Sequence, residues 1–149
     1  MNDMLSLAYS YVDRGWSVIP VHAGARVPIE RDWPARLART RGEIDAMLAR
    51  WSGCNIGIAT GVSSGIWVLD IDPGSGGDAK LAALVAAYGR LPETYTVRTP
   101  SGGVHYYFRL PDDFEPRNVQ HGQSGRLPIG IDVRGWHGQV VAQIGRAHV

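Results

Sequence analysis

Residues 66–72 read IWVLDID, and Pro73-Gly74 follows directly. An apolar, partly β-branched run stopped by Pro-Gly is a strand. Strand side chains alternate between faces. Asp70 and Asp72 therefore share a face, about 6.6 Å apart at ~3.3 Å per residue. Trp67, Leu69 and Ile71 take the other face, which reads as the core side. A carboxylate in an apolar strand is costly unless it is hydrogen-bonded or paired with a cation. Two of them on one rigid face offer the oxygen ligands that Mg²⁺ and Mn²⁺ prefer. The plainer reading is that they end the strand and bond to the loop at 74–77, and a D-x-D taken by itself favours that reading.

Two further strands change the balance. In SGGVHYYF (101–108), His105 shares a face with Gly103 and Tyr107, while Val104, Tyr106 and Phe108 oppose them. In PIGIDVRG (128–135), Asp132 and Arg134 share a face against Ile129, Ile131 and Val133. Each fragment has its own bland explanation: a histidine satisfied beside a turn, a surface ion pair. Three matching registers make the joint bland explanation weak. If the strands adjoin, Asp70, Asp72, His105, Asp132 and Arg134 sit on one surface. Such a surface suits nucleotidyl transfer. Carboxylates would hold two metal ions, His105 and Arg134 would donate to a triphosphate, and Gly102 and Gly103 would let backbone amides approach phosphate.

Working outward, residues 3–14 carry Leu5, Ala8, Tyr9 and Val12 at helical spacing, with Gly15 as a stop. A strand spans 16–21, and a loop broken by Pro28 and Pro34 runs to 39. Thr40 and Glu43 make a capping box for a helix whose stripe is Ile44, Met47, Leu48 and Trp51. NIGIAT (55–60) is a strand. Residues 78–88 form a helix with Leu81, Leu84, Val85 and Tyr88 on one stripe. TYTVR (94–98) and the strand at 103–108 make a hairpin, and a last strand covers 139–142. The order is βα units followed by β-α-β-β-β, an α/β (α+β) domain with a mostly antiparallel second half.

The chain has 149 residues, 44% hydrophobic and 19% charged, which suits one soluble domain. No apolar run reaches the roughly 20 residues of a membrane helix, and the N-terminus lacks a signal peptide's basic region. A single cysteine, Cys54, excludes an internal disulfide and fits a reducing cytoplasm. The net charge of +1 does not announce nucleic acid. Arginines do gather between Arg26 and Arg50, with Trp33 and Trp51 among them. They read equally as a phosphate-tracking surface or as a solvated helix face. GSGGDA (74–79) fits a dinucleotide fingerprint, but Asp70 and Asp72 would repel a pyrophosphate there.

In that order and spacing, VLDID, SGGVHYYF and GIDVRG resemble the three signature motifs of the archaeo-eukaryotic primase superfamily. The nearest likeness is the bifunctional DNA primase/polymerase (prim-pol) N-terminal domain of phages, plasmids and other mobile elements. GWSVIPV, the proline at 28, Trp33, Thr40 and NIGIATG extend the resemblance over residues 4 to about 142. It implies an N-terminal α/β unit beside an RRM-like, mostly antiparallel catalytic sheet. It implies that Asp70, Asp72 and Asp132 bind two Mg²⁺ or Mn²⁺ ions and that His105 contacts the phosphates of the incoming nucleotide. Ser101, Gly103, Arg134, Asn55 and Gly57 match positions around the nucleotide. The implied partners are (d)NTPs, a single-stranded DNA template and a helicase. Arg26 stands where the family usually has lysine, and the two are not interchangeable.

Two other readings compete. A D-x-D glycosyltransferase would explain residues 70–72 but not SGGVH or IDVRG. A fragment that binds nucleotide or DNA without turnover is the other. Residues 144–149, IGRAHV, match the translation of a common sequencing adapter. The expectation is a domain over 1–143, incomplete at its C-terminus, followed by a non-native tail.

Overall fold

The computed structural model describes residues 3–120, 127–142 and 147–148. Three helices and eight strands follow in the order α1 (Asp3–Asp13), β1 (Val18–Val21), α2 (Arg41–Arg50), β2 (Asn55–Ala59), β3 (Ile66–Ile71), α3 (Gly77–Tyr88), β4 (Tyr95–Arg98), β5 (Val104–Arg109), β6 (Ile131–Arg134), β7 (Gln139–Val141) and β8 (Ala147–His148). Single 3-10 turns lie at Trp33–Ala35 and Pro73–Ser75.

The strands form two antiparallel sheets. The smaller has the order β1-β2-β7, and the larger has the order β6-β3-β5-β4-β8. This is the expected mixed α+β domain, with β4 and β5 paired as a hairpin. One strand goes where periodicity could not send it. β7 leaves the larger sheet and pairs with β2, Gly57 opposite Val141. The last strand, β8, lies beside β4 within residues 144–149, of which 147 and 148 are described.

α2 starts where the sequence says. The Thr40 hydroxyl accepts from the Glu43 amide at 3.2 Å. The return bond differs: the Glu43 carboxylate takes the amide of Arg39, one residue before the cap, at 3.0 Å. Against α1 and the smaller sheet lies one apolar core, with Tyr11, Ile44, Ile56 and Val18 fully buried.

The core corrects the face assignment. Trp67 and Leu69 do not point into it. Ile66, Val68, Tyr107 and Val97 do, on the same face as Asp70 and His105. The reason is that the sheet has two covers. The N-terminal unit lies on the Asp70 face, where Trp16 stacks on Tyr107 with ring centroids 5.2 Å apart. The opposite face carries α3 and is half-open, and Trp67 and Phe108 stack on each other there. Ile71 and Ile131 are buried on that side as expected, whereas Ile129 precedes β6 and is exposed. The α3 stripe is also shallow: Leu84 and Tyr88 face solvent. No described helix is long and apolar enough to cross a membrane.

Candidate active site

Register places the three expected motifs in one row. On β3, Asp70 is opposite His105 of β5 on one side and Asp132 of β6 on the other. His105 Nε2 lies 3.3 Å from Asp70 Oδ1. Arg134 Nη2 lies 3.1 Å from Asp132 Oδ2. One rank back, Val68 is flanked by Tyr107 and Arg134. Asp70, Asp72, Ser101, Gly103, His105, Asp132 and Arg134 all line one cavity of about 320 Å³, joined by Arg26, Thr99 and Gly130.

Close backbone approach holds this end of the sheet. The Gly77 amide donates to the Asp72 carbonyl and the Asp72 amide to the Gly130 carbonyl. A Cβ on Gly77 would come within 2.1 Å of that Gly130 carbonyl, so only glycine fits where α3 begins. Thr99 organises the β4–β5 turn. Its hydroxyl accepts from the Gly103 amide at 2.9 Å and lies 3.1 Å from the Ser101 hydroxyl.

The electrostatics follow from burial and neighbours. Burial works to raise the Asp70 pKa. The hydrogen bond and charge interaction with His105, then Arg134 and Arg26, outweigh it, so the net shift is downward. Asp70 is therefore a carboxylate at neutral pH. Asp72 partly follows the plain reading of the sequence. Its Oδ1 accepts from the Gly74 amide at 2.9 Å and its Oδ2 from the Ser75 hydroxyl at 3.0 Å, which caps the turn at 73–75. Among the described residues, no three of His, Cys, Asp and Glu converge closely enough to form a metal cluster as they stand. The donor chemistry nevertheless fits divalent cations. Three carboxylates line one cavity, and hard oxygen donors are what Mg²⁺ and Mn²⁺ take.

Several residues fall elsewhere. Asn55 opens β2, its Oδ1 accepting from the Ile56 amide, and lines neither this cavity nor its neighbour. Gly57 lies behind the neighbour's wall, under Gln139. Two arginines of the run form ion pairs. Arg36 meets Glu30 and Asp32, and Arg41 meets Asp13 and stacks on Tyr9. Arg26 lines both cavities.

Sequence reasoning missed Thr99, Gln120 and Gln139, which line the second cavity of about 270 Å³ together with Arg26, Asp70, His105, Arg134, Val140 and Val141. Gln139 carries a weak signal, a polar residue opening an otherwise apolar strand. Tyr107, two residues after the histidine and on the same face, is a core residue. Burial, then Tyr11, Tyr95 and Asp70, hold its phenol well above the ordinary pKa.

The family model Prim-Pol, described as bifunctional DNA primase/polymerase, N-terminal, matches residues 8–148. No curated protein matches the chain.

Proposed function

We infer that this chain, which belongs to the Prim-Pol family of bifunctional DNA primase/polymerase N-terminal domains, carries out metal-dependent nucleotidyl transfer from (d)NTPs onto a 3′-hydroxyl on a single-stranded DNA template. The observation that carries the reading is the row Asp132–Asp70–His105, set by backbone register on three adjacent strands. Rigid strands hold reacting groups more tightly than loops do.

Asp70, Asp72 and Asp132 would hold the ions. When bound, divalent cations lower the pKa of an attacking hydroxyl and offset charge at phosphorus and the leaving oxygen. The chain's own groups do the rest. Arg134 and Arg26 neutralise and orient the triphosphate, Arg134 with its planar fork of donors. His105 keeps Asp70 ionised and lines the cavity that would take the phosphates. Ser101 and the amides around Gly103 offer donors at the mouth of the hairpin. Asp72 keeps a further lone pair on each oxygen beyond the two hydrogen bonds of its cap, so it could hold a cation from the turn at 73–75. The resemblance sets this activity in the replication of a phage, plasmid or other mobile element, beside a helicase.

The capped Asp72 favours one second reading, nucleotide binding without turnover. Primer extension on a single-stranded template, with dNTPs and Mn²⁺ or Mg²⁺, separates the two. Extension by wild type that disappears in Asp70→Asn supports transfer. Metal-dependent dNTP binding with no extension by a folded wild type supports binding alone. Transfer from sugar nucleotides but not dNTPs would sink both.

A further inference from the structure

β1 and β7 are the outer strands of the smaller sheet, with β2 between them. Gln139 opens β7, yet its side chain reaches the segment that follows β1. Its Nε2 donates to the Arg26 carbonyl at 3.0 Å. Register puts Gln139 opposite Ala59 and Ile19 opposite Gly57, so Ile19, Val21, Gly57, Ala59 and Gln139 share one face. A bond from the third strand to the segment after the first has to cross the second.

Gly57 leaves room for that crossing. A Cβ there would stand 2.8 Å from Gln139 Oε1, 3.0 Å from Val21 Cγ2 and 3.3 Å from Ile19 Cγ1. Gly57 lies inside β2 without a positive φ, so what glycine supplies here is space and not backbone freedom.

The crossing leaves Gln139 Oε1 buried without a hydrogen-bond partner. An unpaired buried amide oxygen is costly, and an apolar side chain of the same length would fill the space without that cost. The nitrogen end is what distinguishes glutamine from such a residue. It lands on an exposed turn: residues 22–24, 26 and 27 are open to solvent. Within the turn, the His22 amide donates to the Val27 carbonyl at 2.9 Å and the Ala25 amide to the His22 carbonyl at 3.1 Å. Those bonds shape the turn without aiming it. The Gln139 bond ties it to the sheet at Arg26, which lines both cavities beside Asp70, His105 and Arg134.

We propose that Gln139 is a positioning residue for Arg26: its amide nitrogen, carried across β2 at Gly57, holds the Arg26 backbone and thereby sets where this arginine meets a bound triphosphate. The role rests on the nucleotidyl-transfer reading of the adjoining row, which gives Arg26 phosphates to act on. A long side chain on an exposed turn has many orientations. Fixing its backbone removes some of them before the ligand arrives.

The test is a double-mutant cycle, read by titrating the protein with a dNTP in the presence of Mn²⁺, with thermal midpoints taken on the same samples. Gln139→Met keeps the side chain's length and loses the donor. It is expected to weaken dNTP binding about three- to ten-fold, the worth of one neutral hydrogen bond. Its thermal midpoint is expected to stay level or rise, because the unpaired oxygen is gone. Arg26→Ala is expected to weaken binding about ten-fold or more. In the Arg26→Ala background, Gln139→Met should add less than about two-fold. Losses that multiply across the cycle mark a merely structural glutamine and overturn the proposal, as does a Gln139→Met variant that binds like wild type. Gln139→Leu repeats the cycle if the methionine variant does not fold. Gly57→Ala reaches the same bond from β2 and should reproduce the loss; a folded Gly57→Ala variant that binds like wild type overturns the crossing. Failure of folded wild type to bind any dNTP overturns this proposal and the transfer reading together. Binding that depends on Gln139 only through Arg26, with no primer extension, sinks the transfer reading and leaves the role of Gln139 standing.

Discussion

Val68 and Asp70 are neighbours on one face of one strand, yet they belong to different regions of the molecule. Around Val68 the face is closed. Trp16 stacks on Tyr107 and Tyr11, Tyr95 meets both Trp16 and Tyr107 edge-on, and Val68 itself has no exposed surface. Around Asp70 the N-terminal cover stops, and the same face opens into two adjoining cavities. The strands, their register and their alternation are common to both ends. What differs is the layer above. The site is where the covering layer ends while the sheet goes on, so core packing fixes its floor without filling it.

That contrast can be broken most sharply at Asp70. Asp70→Asn should reduce primer extension by about 10³-fold or more, since cation and phosphate charge would lose their central carboxylate. Its thermal midpoint should stay within a few degrees of wild type. A collapse of the fold would show that the row is structural. Two residues away the signs reverse. Val68→Ala should cost about 2 kcal/mol in urea unfolding through the void it leaves, with little change in turnover per folded molecule.

A pH series sharpens the comparison further. Burial alone would raise the Asp70 pKa, but His105, Arg134 and Arg26 bring it below the ordinary value. The unfolded chain therefore takes up this proton first as the pH falls. The stability Asp70 contributes is complete above about pH 4 and drains away as the pH drops through the lower folded value. Urea midpoints from pH 7 to 3 should fall more steeply for wild type than for Asp70→Asn. The smallest effect is expected far from both ends. Thr40→Ala removes the hydroxyl that caps α2 and should cost about 1 kcal/mol, read as a small shift in thermal midpoint with unchanged extension.

The sequence was informative where local chemistry decides. Pro73-Gly74 ends β3, Thr40 opens α2, and the alternation of IWVLDID, GVHYYF and IDVR puts Asp70, His105 and Asp132 on one side of their strands. It was misleading where the answer depends on what packs above. Trp67 and Val68 are both apolar, and nothing local says which meets the core. Tyr107 and His105 alternate identically, yet one is a core phenol and the other a site residue. Gln139 was illegible for the same reason. Its place depends on β7 crossing to β2, a pairing that leaves no periodic trace. Asp72 shows both sides: the D-x-D is at the site, and one of its members also caps the strand end.

The crossing of β7 has a consequence for synthesis on the ribosome. The smaller sheet is started by β1 and β2 but finished by residues 139–141, so its edge at β2 stays unsatisfied while β3 to β6 of the larger sheet are being made. A pairing of such high contact order closes late and slowly. Until it does, Ile56 and Ile58 sit on an open edge that can accept a strand from another nascent chain. β7, made after β3 to β6, therefore seals the first sheet, and the same event brings Gln139 to the wall of the cavity. Completion of the smaller sheet and completion of the pocket are one step.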